Sequence, residues 1–342
     1  MPLTTADHVT GLIGNTPVVK IDSLSRLTGC DILVKCEHLN PGGSVKDRAA
    51  LQMIRDAVEK GELTEDKTIV EGTAGNTGIG LALSGKSMGF NVLVVMPSGQ
   101  AAEKERQVSM YGADLKLVKP CPFSNPAHFY HTARQIADDE PDRYWWANQF
   151  ENLSNYKAHY TGTGPEIVSQ TGSHLDFFVS VAGTGGTIGG VSKALKENIP
   201  DVQVILVDPE GSGLRNYIKT GTFSNDGSSI TEGIGIMRLV ENFKQAQVDD
   251  AFTLPDQDLV TIAHHLRQQD GLLIGSSSAL NVAGALRTAV RYGPGKRILT
   301  LICDGGERSY SKLYNPDFLK EKDLDPANTD VEALISKYRK AD

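Results

Sequence analysis

The sequence predicts an α/β protein whose sheets are mostly parallel, and three observations carry that prediction. Apolar runs alternate with longer amphipathic stretches through almost all of the 342 residues, the pattern of strand–helix–strand units. Several of these runs are apolar without a break, as strands covered on both faces are. Glycine-rich turns at Gly72 and Gly183 each follow a strand-like run and open a helix-like one.

Taken in order, ILVKC predicts a strand over residues 32–36, and the turn formers Asn40-Pro41-Gly42-Gly43 separate it from a helix over 47–60. A strand over 68–70 leads into a helix over 77–88, and the unbroken VLVVM predicts a strand over 92–96. A helix over 102–111, a strand over 115–118 and a helix over 155–170 follow. FFVSV predicts a strand over 177–181, whose glycine loop opens a helix over 187–197, and a strand over 202–207 comes next. Helices over 256–269 and 278–292 then lead to a last strand over 298–303, each helix starting near a capping or glycine signal. The charge-rich stretch 320–342 reads as a surface helix or a frayed end. No repeat or polar linker marks a boundary, and at about 100–200 residues per domain the length suits two.

Lys and Arg total 34 against 42 Asp and Glu, a formal charge of −8, which argues against a nucleic-acid or anionic-membrane surface and for a small-molecule partner. The longest apolar runs fall far short of the ~18–20 residues a bilayer span needs. Residues 1–14 lack the basic flank and apolar run of a signal peptide, so a cytoplasmic location is expected. Cys30, Cys36, Cys121 and Cys303 form no C-x-x-C knuckle and read as reduced thiols; Cys121-Pro122 has no second haem signal beside it. His128 and His131 are spaced to share a helix face over 126–139, but without Cys or carboxylate company they read as solvated.

Four short motifs carry chemistry. Asn40-Pro41-Gly42-Gly43-Ser44-Val45-Lys46 delivers a lysine to a helix N-terminus, where the dipole disfavours its charge and suits it to Schiff-base work. Alone, it reads more readily as a lysine on a glycine turn in a solvated Lys-Asp-Arg run. Gly72-Thr73-Ala74-Gly75-Asn76-Thr77 gathers backbone N–H groups and hydroxyls at a helix start, a place for a carboxylate or simply a set of caps. Gly183-Thr184-Gly185-Gly186-Thr187-Ile188-Gly189-Gly190 is a phosphate cradle between strand and helix. It is not a dinucleotide fingerprint, and with no Lys or Arg it suits one phosphate monoester; five glycines in eight positions are hard to explain by packing alone. Gly275-Ser276-Ser277-Ser278 opens a further helix. By contrast Gly80–Ser87 matches the Walker A expression but falls inside a predicted helix, with no strand before it and no room for a helix after it.

In this order NPGGSVKDR, GTAGNTG, GTGGTIGG and GSSSA resemble the fold-type II (β-family) pyridoxal-phosphate enzymes, and within them the cysteine synthase (O-acetylserine sulfhydrylase) and cystathionine β-synthase branch. The resemblance runs from Gly14-Asn15-Thr16-Pro17 to Gly305-Gly306-Glu307-Arg308. Ser44-Val45-Lys46, in place of the Ser-Phe-Lys typical of the dehydratases, favours the synthases. It implies that Lys46 holds pyridoxal 5'-phosphate as a Schiff base and removes the substrate α-proton. Asn76 would bond the cofactor's phenolic oxygen, Gly183, Thr184, Gly185, Gly186 and Thr187 its phosphate, and Ser277 its pyridine nitrogen. Thr73, Gly75, Asn76, Thr77 and Gln149 would hold the substrate carboxylate.

The implied reaction is β-elimination of acetate from O-acetylserine to an enzyme-bound aminoacrylate, then addition of sulfide to give L-cysteine. Serine with homocysteine, as in cystathionine β-synthase, or another activated serine or sulfur donor, is the alternative. A neutral serine at the pyridine nitrogen gives a weaker electron sink than an acid would, which suits quick loss of a β-leaving group. The resemblance further implies a smaller domain, 48–150, inserted into a larger one of 1–47 plus 151–342, with the cofactor in the cleft. A homodimer is implied too, with a serine acetyltransferase as a candidate partner and no metal. Three departures stand out: Ala74 where the family has serine, the register of Ser276, Ser277 and Ser278, and Met237-Arg238 after Gly233-Ile234-Gly235. Arg238 is expected to favour an anionic second substrate.

Overall fold

Each apolar run expected to form a strand does so in the computed structural model, which describes residue 6, residues 8–73 and residues 75–341. The strands are β1 (Val18–Lys20), β2 (Asp31–Cys36), β3 (Thr68–Gly72), β4 (Asn91–Pro97) and β5 (Asp114–Val118), then β6 (Tyr144–Trp146), β7 (Phe177–Ser180), β8 (Gln203–Pro209), β9 (Asp250–Leu254) and β10 (Arg297–Ile302). They form a six-stranded sheet in the order β1-β2-β10-β7-β8-β9 and a four-stranded one in the order β5-β4-β3-β6. Every pairing is parallel except that of β1 with β2. β10 lies between the early strand β2 and β7, with Leu299 opposite Leu33 on one side and Phe178 on the other.

Period-two alternation divides the larger sheet's core into two layers. Ile32, Val34, Val179, Ile205 and Val207 pack with the helices Asp256–Gln269 and Ser276–Tyr292, while Leu33, Phe178, Val204, Leu206 and Leu299 pack with Gly164–Thr171 and Gly186–Asn198. Both faces are dry, which is why these strands read as unbroken apolar runs.

One expectation is corrected and one pair of alternatives is decided in favour of the surface helix. The helix expected over 155–170 is three pieces, Ser154–Ala158, a π-turn at His159–Thr163, and Gly164–Thr171. Gly164 N–H donates to His159 O, five residues back, and Gly162, Gly164 and Pro165 weaken the ordinary ladder there. The C-terminal stretch is not frayed: Val331–Ala341 is a helix whose Val331, Leu334, Ile335 and Tyr338 join the larger core, and Tyr338 Oη donates to Asp258 Oδ2 at 2.9 Å. Its apolar stripe, spaced three and four residues apart, was masked by the charges between.

A buried ionic network ties the helix Lys46–Glu59 to the larger sheet. Arg48 pairs with Glu37 at 2.6 Å and Glu166 at 2.7 Å, and Lys35 of β2 meets the same Glu166 at 2.7 Å. Buried charges cost several kcal/mol each unless paired and multiply bonded, so this net fixes the helix rigidly.

Candidate active site

Lys46 is the first residue of the helix Lys46–Glu59. The preceding turn needs its glycines: a Cβ at Gly42 would lie 2.5 Å from Asp47 Oδ1, and one at Gly43, which has φ +79°, 2.6 Å from Arg308 Nη2. The Lys46 amine is pushed below its usual value, as expected, although the main cause is burial; the nearby Cys303 and Asp304 oppose it. No hydrogen bond from Lys46 Nζ occurs among the described residues, and the lowered pKa makes this amine easier to deprotonate than a solvated lysine.

Lys46 opens onto a cavity of about 420 Å³. Thr73, Gly75, Asn76, Thr77, Gln149, Gly183, Thr184, Gly185, Thr187 and Ser277 line it as well, so the motifs scattered through the sequence meet at one place. Gly186 does not line it, because it packs backward; a Cβ there would lie 2.0 Å from Asn155 Oδ1. Packing accounts for the glycine density better than the sequence suggested. Cβ atoms at Gly183, Gly185, Gly189 and Gly190 would fall 2.1 Å from Gly233 O, 2.5 Å from Phe243, 2.7 Å from Asn242 O and 2.4 Å from Tyr156 O.

The loop nevertheless offers an anion a complete set of donors. It opens the 13-residue helix Gly186–Asn198, whose first N–H groups have no intrahelical partner. Thr184 Oγ1 accepts from Asn155 Nδ2 at 2.9 Å, which leaves its own O–H to donate. Thr187 Oγ1 lies 3.2 Å from His159 Nε2, and burial holds His159 neutral with Arg48 and Lys46 adding to the effect.

On the opposite wall, Gly75 N–H donates to Thr73 Oγ1 at 3.2 Å and Thr77 Oγ1 donates to Gln149 Oε1 at 2.5 Å. Ala74, expected to remove a hydroxyl here, lies outside the described residues. Gln149 Nε2 in turn donates to Gly72 O and to Glu71 Oε1, each at 3.1 Å. Glu71 is fully buried at the end of β3, and burial pushes its carboxyl up to about 8. Sequence reasoning missed it, though a glutamate ending an apolar strand was a visible signal.

A carboxyl raised in the folded state binds its proton more tightly there than in the unfolded chain, where it titrates near 4.5. Stability therefore falls as pH rises from about 4.5 to about 8 and is level outside that window. Glu71→Gln removes this contribution, so the drop in melting temperature between pH 5.5 and pH 8.5 is expected to narrow. An unchanged drop in paired thermal melts would refute it.

Of the three serines, Ser277 lines the cavity, while Ser278 Oγ donates to Asp304 O at 3.0 Å and accepts from Cys303 N–H at 2.9 Å. The helix starts at Ser276, two residues before the expected position. Cys303 also lines the cavity, its thiol pushed up to about 12 by burial and so inert at neutral pH. His128 caps the helix Phe129–Asp139, its Nδ1 accepting from Tyr130 N–H at 3.3 Å, and its ring centre lies 6.0 Å from that of His131, so the two stand side by side at the helix start. Gly80–Ser87 lies within the helix Asn76–Ser87, with Lys86 Nζ donating to Asn91 at 3.1 Å.

The outer end of the cavity was not legible as a unit. Phe123, Tyr130 and Phe150 surround Arg238, their ring centres 4.6, 5.0 and 5.1 Å from its guanidinium carbon, and Arg238 pairs with Glu151 at 2.5 Å. The guanidinium thus already has its counter-ion, contrary to a free cation awaiting an anionic substrate. Arg238→Ala is expected to loosen this wall and weaken all sulfur nucleophiles alike, by about threefold to tenfold in KM. A loss confined to anionic ones, measured across sulfide, thiosulfate and neutral thiols, would reverse that reading.

Residues 9–304 match the family model described as pyridoxal-phosphate dependent enzyme. The chain belongs to that family. It is 45% identical to cysteine synthase 2 of Schizosaccharomyces pombe, over 93% of this chain and 86% of that one. It is 37% identical to mouse cystathionine β-synthase, over 91% of this chain but 55% of that protein. Among solved structures, an O-acetylserine-dependent cystathionine β-synthase from Helicobacter pylori superimposes with a TM-score of 0.82 at 34% identity, over 91% of this chain and 99% of that one. The site fits the family's cofactor: a buried unpaired amine, a phosphate-sized donor set and a hydroxyl at Ser277 border one cavity.

Proposed function

We propose that this chain is a pyridoxal-phosphate-dependent cysteine synthase that takes O-acetylserine and sulfide. The observation that carries the reading is the Lys46 amine, its pKa lowered by burial, in one cavity with the N-termini of the helices Asn76–Ser87 and Gly186–Asn198. When bound, pyridoxal phosphate supplies a Schiff-base link and a sink for the electrons developing at the substrate Cα.

Lys46 Nζ would hold the cofactor and would be the base that accepts the substrate α-proton. Gly183, Thr184, Gly185 and Thr187 hold the phosphate, with Gly186 setting the close approach of Asn155 behind them. The backbone at Gly75, Asn76 and Thr77 takes the substrate carboxylate, and Thr73 and Gln149 hold that loop in place. Ser277, which lines the cavity, would meet the pyridine nitrogen. The apolar wall of Phe123, Tyr130 and Phe150 keeps water from the reacting centre.

All four strands of the smaller sheet lie within 48–150, which supports a body of that range set into one of 1–47 plus 151–342. A homodimer, a serine acetyltransferase partner and a cytoplasmic location complete the reading and rest on the family. No described helix is long and apolar enough to cross a membrane.

The test is the visible spectrum of the purified protein loaded with pyridoxal phosphate. A band that shifts to the red with O-acetylserine, and returns on adding sulfide as cysteine forms, is expected. A band indifferent to O-acetylserine but responsive to serine, with homocysteine consumed, would make cystathionine synthesis the activity instead.

A further inference from the structure

Asn76 is the residue whose amide, on the proposed reading, meets the phenolic oxygen of the cofactor. An amide has two unlike ends, and only its N–H end donates. Two buried residues beyond β10 set which end goes where. Asp304 Oδ2 accepts from Asn76 Nδ2 at 2.7 Å, and Arg308 Nη1 donates to Asn76 Oδ1 at 2.9 Å. A flipped amide would set its oxygen against the carboxylate and its NH₂ against the guanidinium, acceptor to acceptor and donor to donor.

The Asn76 Nδ2 carries two hydrogens, so Asp304 takes one and leaves the other for the cavity that Asn76 lines. Neither partner is a solvated surface group: Asp304 is 4% exposed and Arg308 2%. Among the described residues Asp304 Oδ1 and Arg308 Nε have no hydrogen-bond partner, so the Asn76 amide accounts for most of the polar contact between these two side chains and the site. Arg308 also donates through Nη2 to Gly42 O, in the turn that delivers Lys46. One guanidinium thus registers the amide against the amine.

We propose that Asp304 and Arg308 are positioning residues for the cofactor, holding the Asn76 amide so that it presents its N–H, and not its carbonyl, to the phenolic oxygen. The proposal rests on the pyridoxal-phosphate reading of the cavity. Its consequence is that the ionised phenolic oxygen keeps a donor, which favours that form over the protonated one.

The test is a pH titration of the visible band of the protein loaded with pyridoxal phosphate, read without turnover. Asp304→Val removes the acceptor at similar size and is expected to move the midpoint up by about one pH unit. Asp304→Asn keeps an acceptor and is expected to titrate with the wild type. In an Asn76→Ala background, Asp304→Val is expected to add nothing, because the residue acts through Asn76. Lys46, Cys303, His38 and Tyr314, the titratable neighbours of Asp304, are the same in every variant.

Should Asp304→Val not fold, Arg308→Lys serves in its place, since lysine keeps the charge but lacks the two-pronged donor, and the same upward shift is expected. Midpoints equal to wild type in the folded variant, or a shift that persists without Asn76, overturn the proposal. A wild-type protein that develops no visible band overturns the cofactor reading itself, and this inference with it.

Discussion

Lys46→Ala is expected to lower turnover by at least about a thousandfold while leaving the fold and noncovalent cofactor binding intact. The size follows from two losses at one atom: the amine that would join the cofactor covalently and the base that would take the α-proton. The fold should tolerate the change because Lys46 makes no side-chain hydrogen bond among the described residues, whereas Arg48, two positions on, carries the ionic tie to Glu37 and Glu166. Borohydride treatment should attach pyridoxal phosphate to the wild type alone. Covalent attachment in the variant, or turnover within tenfold of wild type, would show that another amine does the work.

Gly183→Ala is expected to reduce cofactor retention by about tenfold or more and to destabilise the chain by about 1–3 kcal/mol. The added methyl would sit 2.1 Å from Gly233 O, a backbone atom that cannot swing aside. Either the phosphate loop or the turn at Gly233–Gly235 must move, and both border the cavity. Dialysis of the loaded protein, with the remaining cofactor read by absorbance, measures the first effect and chemical denaturation the second. Wild-type retention would mean that the loop does not hold the phosphate.

The sequence was most informative where one residue type does one job. β4 and β8 announce themselves because strands covered on both faces tolerate only apolar side chains, and the glycine loops do so because backbone approaches there exclude a Cβ. β1, β6 and β9 were missed: three residues, as in β1 and β6, are too few for a period, and Asp250 opens β9 with a charge. Buried ions were illegible for a different reason. Glu37 and Arg48 look like solvated residues until tertiary contacts supply their partners, so the network behind Lys46 emerges only in three dimensions. The break at His159–Thr163 was likewise hidden, because its glycines are tolerated in many unbroken helices. Eleven of the twelve expected site residues border the cavity, since short glycine-rich motifs are read locally; the aromatic wall around Arg238, drawn from four separate segments, is not local at all.

The place of β10 between β2 and β7 bears on how the chain is made. The smaller sheet is complete once residue 146 has emerged, and all its strands pair within one stretch of chain. The larger sheet stays split until residues 297–302 arrive to join its two halves, so during synthesis its early strand β2 waits for a partner almost the whole chain away. Until then β2 and β7 have unpaired edges, and the wall of Ser277 and Asp304 has nothing to close against. Closure of the larger sheet, and of the cavity wall that follows β10, is therefore expected to wait for the last strand.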